Sequence, residues 1–234
     1  MKRTLLLLLV LSTNLGYSQS KNIYVEYSLG IQNEPELFKT NTLLRSSFEN
    51  AMRDSHKITF ELIVTKSGSK FFDKKELETD NNLGANRFAM AFAGYHGIIY
   101  ELKDKIVSQN AHLGVNIYTE SDLKSNWMLT TETKLIDNYL CYKATNIYKV
   151  TNDTKTFLHP VTAWYCPQIP YRYGPNGYSN LPGLILELQV RNVVYGAKTI
   201  KLDSELDFDL KFLDKIKILR DKEVDDAYEK FNGF

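Results

Sequence analysis

Apolar and polar residues alternate over much of this chain. Ile58, Phe60, Leu62 and Val64 alternate with Thr59, Glu61 and Thr65, the period-two pattern of a strand with one buried face. The same rhythm runs through Ile23, Val25, Tyr27 and Leu29, and through Leu184, Leu186, Leu188 and Val190. Ile98 to Leu102, Val115 to Thr119, Trp127 to Thr133, Tyr139 to Val150, Phe157 to Tyr165 and Val194 to Ile200 predict further strands. Parallel strands need long crossovers, which this spacing does not supply, so the sheet is expected to be antiparallel. The fold class is mainly β with a few helices (α+β): one curved antiparallel sheet with helices packed on one face.

Two helices interrupt the alternation. Ser46 to Asp54 places Phe48, Ala51 and Met52 on one helical face. Lys222 to Phe231 follows Asp221, a good N-cap, carries Glu223 in its first turn, and ends before Asn232-Gly233. Between these, Leu206, Phe208, Leu210 and Phe212 alternate with Asp207, Asp209 and Lys211 as a strand would, and Leu213, Ile216 and Leu219 change to helical spacing.

The first residues change the picture of where the chain works. Lys2 and Arg3, the apolar run Leu5 to Leu11, and Gly16-Tyr17-Ser18 form an export signal, with cleavage expected after Ser18. The apolar run is too short to span a bilayer, and no cysteine follows it to accept a lipid. The mature chain is therefore expected to be periplasmic or secreted, with no transmembrane segment. Of 29 bases and 28 acids, the signal removes Lys2 and Arg3, leaving 27 against 28. That balance carries no nucleic-acid footprint. Residues 19–234 contain no linker, repeat or low-complexity tract and are expected to form a single β-rich domain.

Two cysteines remain, Cys141 and Cys166, and export makes a disulfide the expectation. If Asp153 and Thr154 centre the turn between strands 139–150 and 157–165, paired positions sum to 307, as Cys141 and Cys166 do. They would then face each other across a hairpin. Asn152-Asp153-Thr154 fits a glycosylation sequon, though in a bacterial chain it reads more simply as that turn. Catalytic signatures are absent: no Gly-x-Ser-x-Gly elbow, no phosphate loop and no His-Glu-x-x-His. His56, His96, His112 and His159 lack ligand spacing, and the carboxylates of Asp203, Glu205, Asp207 and Asp209 lack the glycine turn of a calcium loop. No metal and no cofactor is expected.

The densest chemistry lies between Ala163 and Glu187, where aromatics, prolines and glycines alternate. Trp164, Tyr165, Tyr171, Arg172, Tyr173 and Tyr178 are candidate ligand- or partner-binding residues. Tyr171, Tyr173 and Tyr178 flank the Gly174-Pro175 turn and are assigned to a surface or cavity mouth. The competing expectation is that these rings only pin a proline-rich loop to the sheet, because prolines remove backbone donors and glycines add entropy to be lost. Gly174-Pro175-Asn176-Gly177 is a tight turn, and Leu181-Pro182-Gly183 leads into the strand from Leu184.

The order Trp164-Tyr165, Ile169-Pro170, Gly174-Pro175 and Leu181-Pro182-Gly183-Leu184-Ile185 resembles the GLPGLI family of secreted bacterial proteins, and Tyr139 to Ala144 is similar to its cysteine-bearing strand. Asn180 stands where the family name has its first glycine, and asparagine tolerates a left-handed backbone best among other residues. Cys166 also departs from the family pattern. The resemblance implies an exported protein without an established activity, sometimes associated with outer-membrane receptor systems. The expected sheet is similar to the half-barrel of periplasmic lipoprotein carriers, but fold alone does not assign function. A binding or carrier module for an apolar or amphipathic ligand ranks first. An accessory partner of an outer-membrane protein follows, and a hydrolase-type enzyme comes last.

Overall fold

The computed structural model describes residues 21–74, 83–151, 155–220 and 222–232. The expected export signal, the expected turn at Asn152-Asp153-Thr154 and the expected N-cap Asp221 lie outside the described residues. In chain order the first half comprises β1 (Asn22–Ile31), α1 (Thr42–Asp54), β2 (Thr59–Thr65), β3 (Gly68–Asp73), α2 (Leu83–Phe92), β4 (Ile99–Glu101), β5 (Ile106–Gln109) and β6 (Ile117–Ser121). The second comprises β7 (Met128–Ile136), β8 (Tyr139–Thr151), β9 (Thr156–Cys166), β10 (Leu184–Val190), β11 (Val193–Ser204), β12 (Lys217–Leu219) and α3 (Lys222–Asn232). Among the described residues no helix is long and apolar enough to cross a membrane.

The strands form one open sheet in the order β12-β6-β5-β4-β3-β2-β1-β11-β10-β9-β8-β7. Neighbours run antiparallel except β12, which lies parallel to β6; the expected antiparallel sheet is corrected at that edge. Residues 205–216 return the chain from β11 across the sheet, and a connection of that length permits a parallel pairing that a hairpin does not.

Alternation along β1 and β2 puts Tyr27, Leu29, Phe60 and Leu62 on one buried face. Phe71 of β3 stacks on Phe60 with centroids 5.1 Å apart, and Tyr195 of β11 meets Phe60 edge to face at 5.5 Å. Each such side chain contributes about 1.5–3 kcal/mol of burial. Their polar ends are satisfied: Tyr27 Oη donates to the Ile185 carbonyl at 2.6 Å, and Tyr195 Oη to that of Ala93 at 3.1 Å.

The helices close this face. Asn41 Oδ1 accepts from the Leu44 amide at 3.0 Å, so α1 starts at this cap, ahead of the expected Ser46. It packs Phe48 against Phe92 of α2 at 5.3 Å. α2, LGANRFAMAF, was not anticipated, since its apolar residues leave little amphipathic contrast to reveal a helical period.

A second cluster sits on the opposite face, where Phe208, Leu210, Phe212, Leu213, Ile216 and Ile218 cover Tyr100, Val107 and Tyr118. Here the expected strand of residues 206–212 is corrected: 205–210 are irregular and Lys211–Lys215 form a 3-10 turn. Asp207 and Asp209 explain this, because their carboxylates accept from the amides of Phe208 at 2.7 Å and Lys211 at 2.9 Å. Such local bonds compete with a ladder.

The β8–β9 hairpin has the expected register, with pairs from Tyr142↔Tyr165 to Thr151↔Thr156 summing to 307. The disulfide is nevertheless corrected: Cys141 and Cys166 are free, buried thiols. Cys141 Sγ donates to the Tyr139 carbonyl at 3.6 Å. Burial, with the Cys166 thiol beside it, pushes Cys141 up to about 12, so the thiolate needed for oxidation is suppressed.

Candidate functional site

The loop from Pro167 to Gly183 folds back onto the start of β10. The amides of Leu184 and Ile185 donate to the carbonyls of Ile169 at 2.9 Å and Tyr173 at 3.0 Å. Gly174 has no room for a Cβ, which would come within 2.7 Å of the Ile185 side chain. Pro175–Gly177 then make a 3-10 turn in which Asn176 and Gly177 hold φ of 53° and 68°. Asn180 is also left-handed, with φ 65°, held by its amide to the Arg172 carbonyl at 2.8 Å and by Arg172 Nη1 donating to its Oδ1 at 3.1 Å.

This geometry separates the candidate aromatics. Tyr178 is buried, packed on Trp127 at 6.2 Å with Lys124 Nζ 4.1 Å over its ring, so it does not stand at a surface or cavity mouth. Tyr171, Arg172 and Tyr173 are half-buried. Arg172 donates to the carbonyls of Leu102 and Lys103 and lies 5.8 Å from the Tyr173 ring, which ties the loop to β4. Trp164 is half-buried on the far side of the hairpin under Lys134 Nζ at 4.5 Å, itself paired with Glu187 at 2.7 Å. Leu181 and Gly183 are buried and Pro182 is exposed. Trp127 also anchors the loop, its Nε1 donating to the Ser179 carbonyl at 2.7 Å. Trp127→Phe should keep the fold and lower stability by about 1–2 kcal/mol, read as a lower midpoint in urea unfolding with an unchanged slope.

Beneath the loop lies a buried acid that sequence reading missed. Glu101 of β4 is 1% exposed, and its carboxylate oxygens and Ser179 Oγ make no hydrogen bond among the described residues. Burial raises it to about 7, with the charges of Arg172 and Lys124 pulling the other way. Lys124 is itself pushed down to about 8 by burial and donates to the Asn176 carbonyl at 3.1 Å. A lone glutamate between polar elements gives no signal of this in sequence.

Tyr165, itself 5% exposed, contributes to the wall of an open groove. With Leu140, Tyr142, Pro167 and Gln168 it lines a depression of about 260 Å³, in which the rings of Tyr142 and Tyr165 lie 6.1 Å apart. The groove opens at an end of the sheet whose apolar side chains are exposed on both faces. Among the described residues, Met128, Leu129, Leu135, Leu140, Ile147, Tyr148, Phe157 and Leu158 are exposed, eight of thirteen such large apolar side chains. All eight lie on β7, β8 and β9, so the exposure is a property of this end of the sheet. The Leu135↔Leu140 and Leu129↔Ala144 pairs put Leu129, Leu135, Leu140 and Tyr142 on one face. β7 ends the sheet, and among the described residues its outer edge pairs with no other strand. It carries Glu132 and Lys134, bound to Lys143 at 3.0 Å and Glu187 at 2.7 Å.

Residues 153–187 match the model of a protein family described as a protein of unknown function (Porph_ging), which is the GLPGLI family. The match covers β9, the loop and the start of β10, and does not reach the Tyr139–Ala144 strand. No curated protein matches the chain. Two solved structures of PNGF-II are similar in fold. The one in the P21 space group has a TM-score of 0.52 at 14% identity, over 90% of this chain and 34% of that one. The one in the C2 space group gives 0.51 at 14%, over 90% and 33%. This chain thus spans about a third of the solved chains it matches.

Proposed function

We propose that this protein is an exported interaction module that docks an extended segment of a partner protein along β7. The observation that carries this is the concentration of exposed apolar side chains on β7–β9 beside an open, nine-residue sheet edge. An open edge offers main-chain donors and acceptors to an added strand, and alternate side chains choose the partner. Leu129 and Leu135 supply apolar contacts, while Glu132 and Lys134 guard against indiscriminate pairing. The opposite edge, β12, is three residues long and offers little to such a strand. Export rests on the Lys2-Arg3 and leucine signal. An accessory module is also in keeping with a fold that forms about a third of longer chains.

A photo-crosslinking amino acid at Leu135, in the native host, is expected to capture one protein that the same group at exposed Leu43 does not. That protein, purified, should bind the wild type, and Leu135→Glu should weaken binding at least tenfold without altering unfolding. Equal capture at both positions, or unchanged affinity, would count against the proposal.

A second reading, a carrier of an amphipathic ligand, draws on a groove of about 410 Å³ with Leu102, Val107, Leu210, Leu213 and Ile218 as walls and Lys105 and Lys211 beside them. A lipid retained by the natively purified protein in native mass spectrometry would favour this reading.

A further inference from the structure

We propose that His96 and His112 form a two-imidazole binding site for a divalent transition ion with square-planar or octahedral preference, copper(II) or nickel(II). The two residues stand sixteen positions apart, on the segment after α2 and in the β5–β6 connection. His112 Nε2 lies 3.0 Å from His96 Nδ1, with ring centroids 4.8 Å apart. Both side chains are exposed.

The spacing suits a shared ion. With metal–nitrogen bonds of about 2.05 Å, nitrogens 3.0 Å apart subtend about 95° at a shared ion. That is the cis angle of a square-planar or octahedral site, whereas a tetrahedral ion needs about 3.3 Å. Without an ion the same contact is an imidazole–imidazole hydrogen bond, and turning each ring by roughly 40° about its broad χ2 torsion aims both nitrogens at one ion.

The backbone holds the pair in place. The Ala111 amide donates to the His96 carbonyl at 3.1 Å, and Gln109 N to Ile98 O at 2.7 Å. Asn110, buried beneath, receives the Leu113 amide on Oδ1 at 3.3 Å and donates through Nδ2 to Tyr228 Oη of α3 at 2.9 Å. The two loops therefore meet through fixed main-chain bonds.

Among the described residues no third histidine, cysteine or carboxylate joins them. The remaining positions on the ion belong to water or an external ligand, the arrangement of an open site rather than a closed structural one. His96 also lines a cavity of about 120 Å³ with Ser108, Gln109, Ser121 and Lys124, polar room for such a ligand.

The test is calorimetric titration of the untagged protein with copper(II) and with nickel(II), followed by electron paramagnetic resonance of the copper complex. One equivalent should bind, with nitrogen couplings from two equatorial imidazoles. His96→Ala and His112→Ala should each weaken binding at least tenfold and reduce the couplings to one nitrogen, while His56→Ala changes neither. Circular dichroism of the variants should match the wild type. Absence of saturable binding, or affinity and couplings that survive the double variant, would overturn the site.

Discussion

Gly183→Val is expected to cost at least about 3 kcal/mol and to deplete soluble folded protein. Gly183 holds φ at 156°, and a Cβ there would stand 2.2 Å from the Cys166 carbonyl oxygen and 2.7 Å from the Pro167 nitrogen. Both are backbone atoms, so no side chain can turn away to make room. Relief requires moving the end of β9 from the start of β10, where Leu184 pairs with Cys166. A one-residue slip there would send Leu184, Leu186 and Leu188 to the wrong faces. Gly196→Ala is the control, because nothing lies within 4 Å of its added Cβ. It should be neutral or stabilise by up to about 1 kcal/mol. Urea unfolding of both variants measures the contrast, and a Gly183→Val protein as stable as wild type would refute the account of this turn.

Glu101→Gln should remove a pH dependence from the protein's stability. An unfolded glutamate titrates near 4.5, and burial raises folded Glu101 to about 7. The folded state therefore holds its proton more tightly, so the unfolded state binds fewer protons between these values and stability falls as pH rises through them. The penalty is absent below 4.5 and complete above about 7. At about 1.4 kcal/mol per pKa unit it reaches on the order of 3 kcal/mol. The attraction of Arg172 and Lys124 is already contained in that value. Chemical denaturation at about pH 5 and about pH 8 should show wild type losing this stability and the glutamine variant keeping most of it. Parallel losses in the two proteins would show that Glu101 does not titrate as its burial requires.

The two predictions differ in how far sequence could have led to them. Gly183 follows a proline and precedes an apolar alternation, local signs of a turn entering a strand. Glu101 precedes Leu102 and Lys103 in a short segment with nothing to mark it as buried. Its environment comes from Lys124, Arg172 and Ser179, up to 78 positions away in sequence.

By itself the sequence determined the β-rich class, the alternating core faces of β1 and β2, and the register of the β8–β9 hairpin. These depend on side-chain period and turn chemistry within a few residues, which the local backbone enforces wherever the strand lies. Only the tertiary structure decided that Tyr178 turns inward while Tyr165 contributes to the wall of a groove, and that Cys141 and Cys166 stay thiols. It alone laid residues 206–213 against Tyr100 and Tyr118, left β7 at the sheet's end, and brought His96 to His112. Each of these outcomes rests on contacts between elements distant in the chain. Burial, edge position and the meeting of two loops depend on the completed sheet order, which no local pattern encodes.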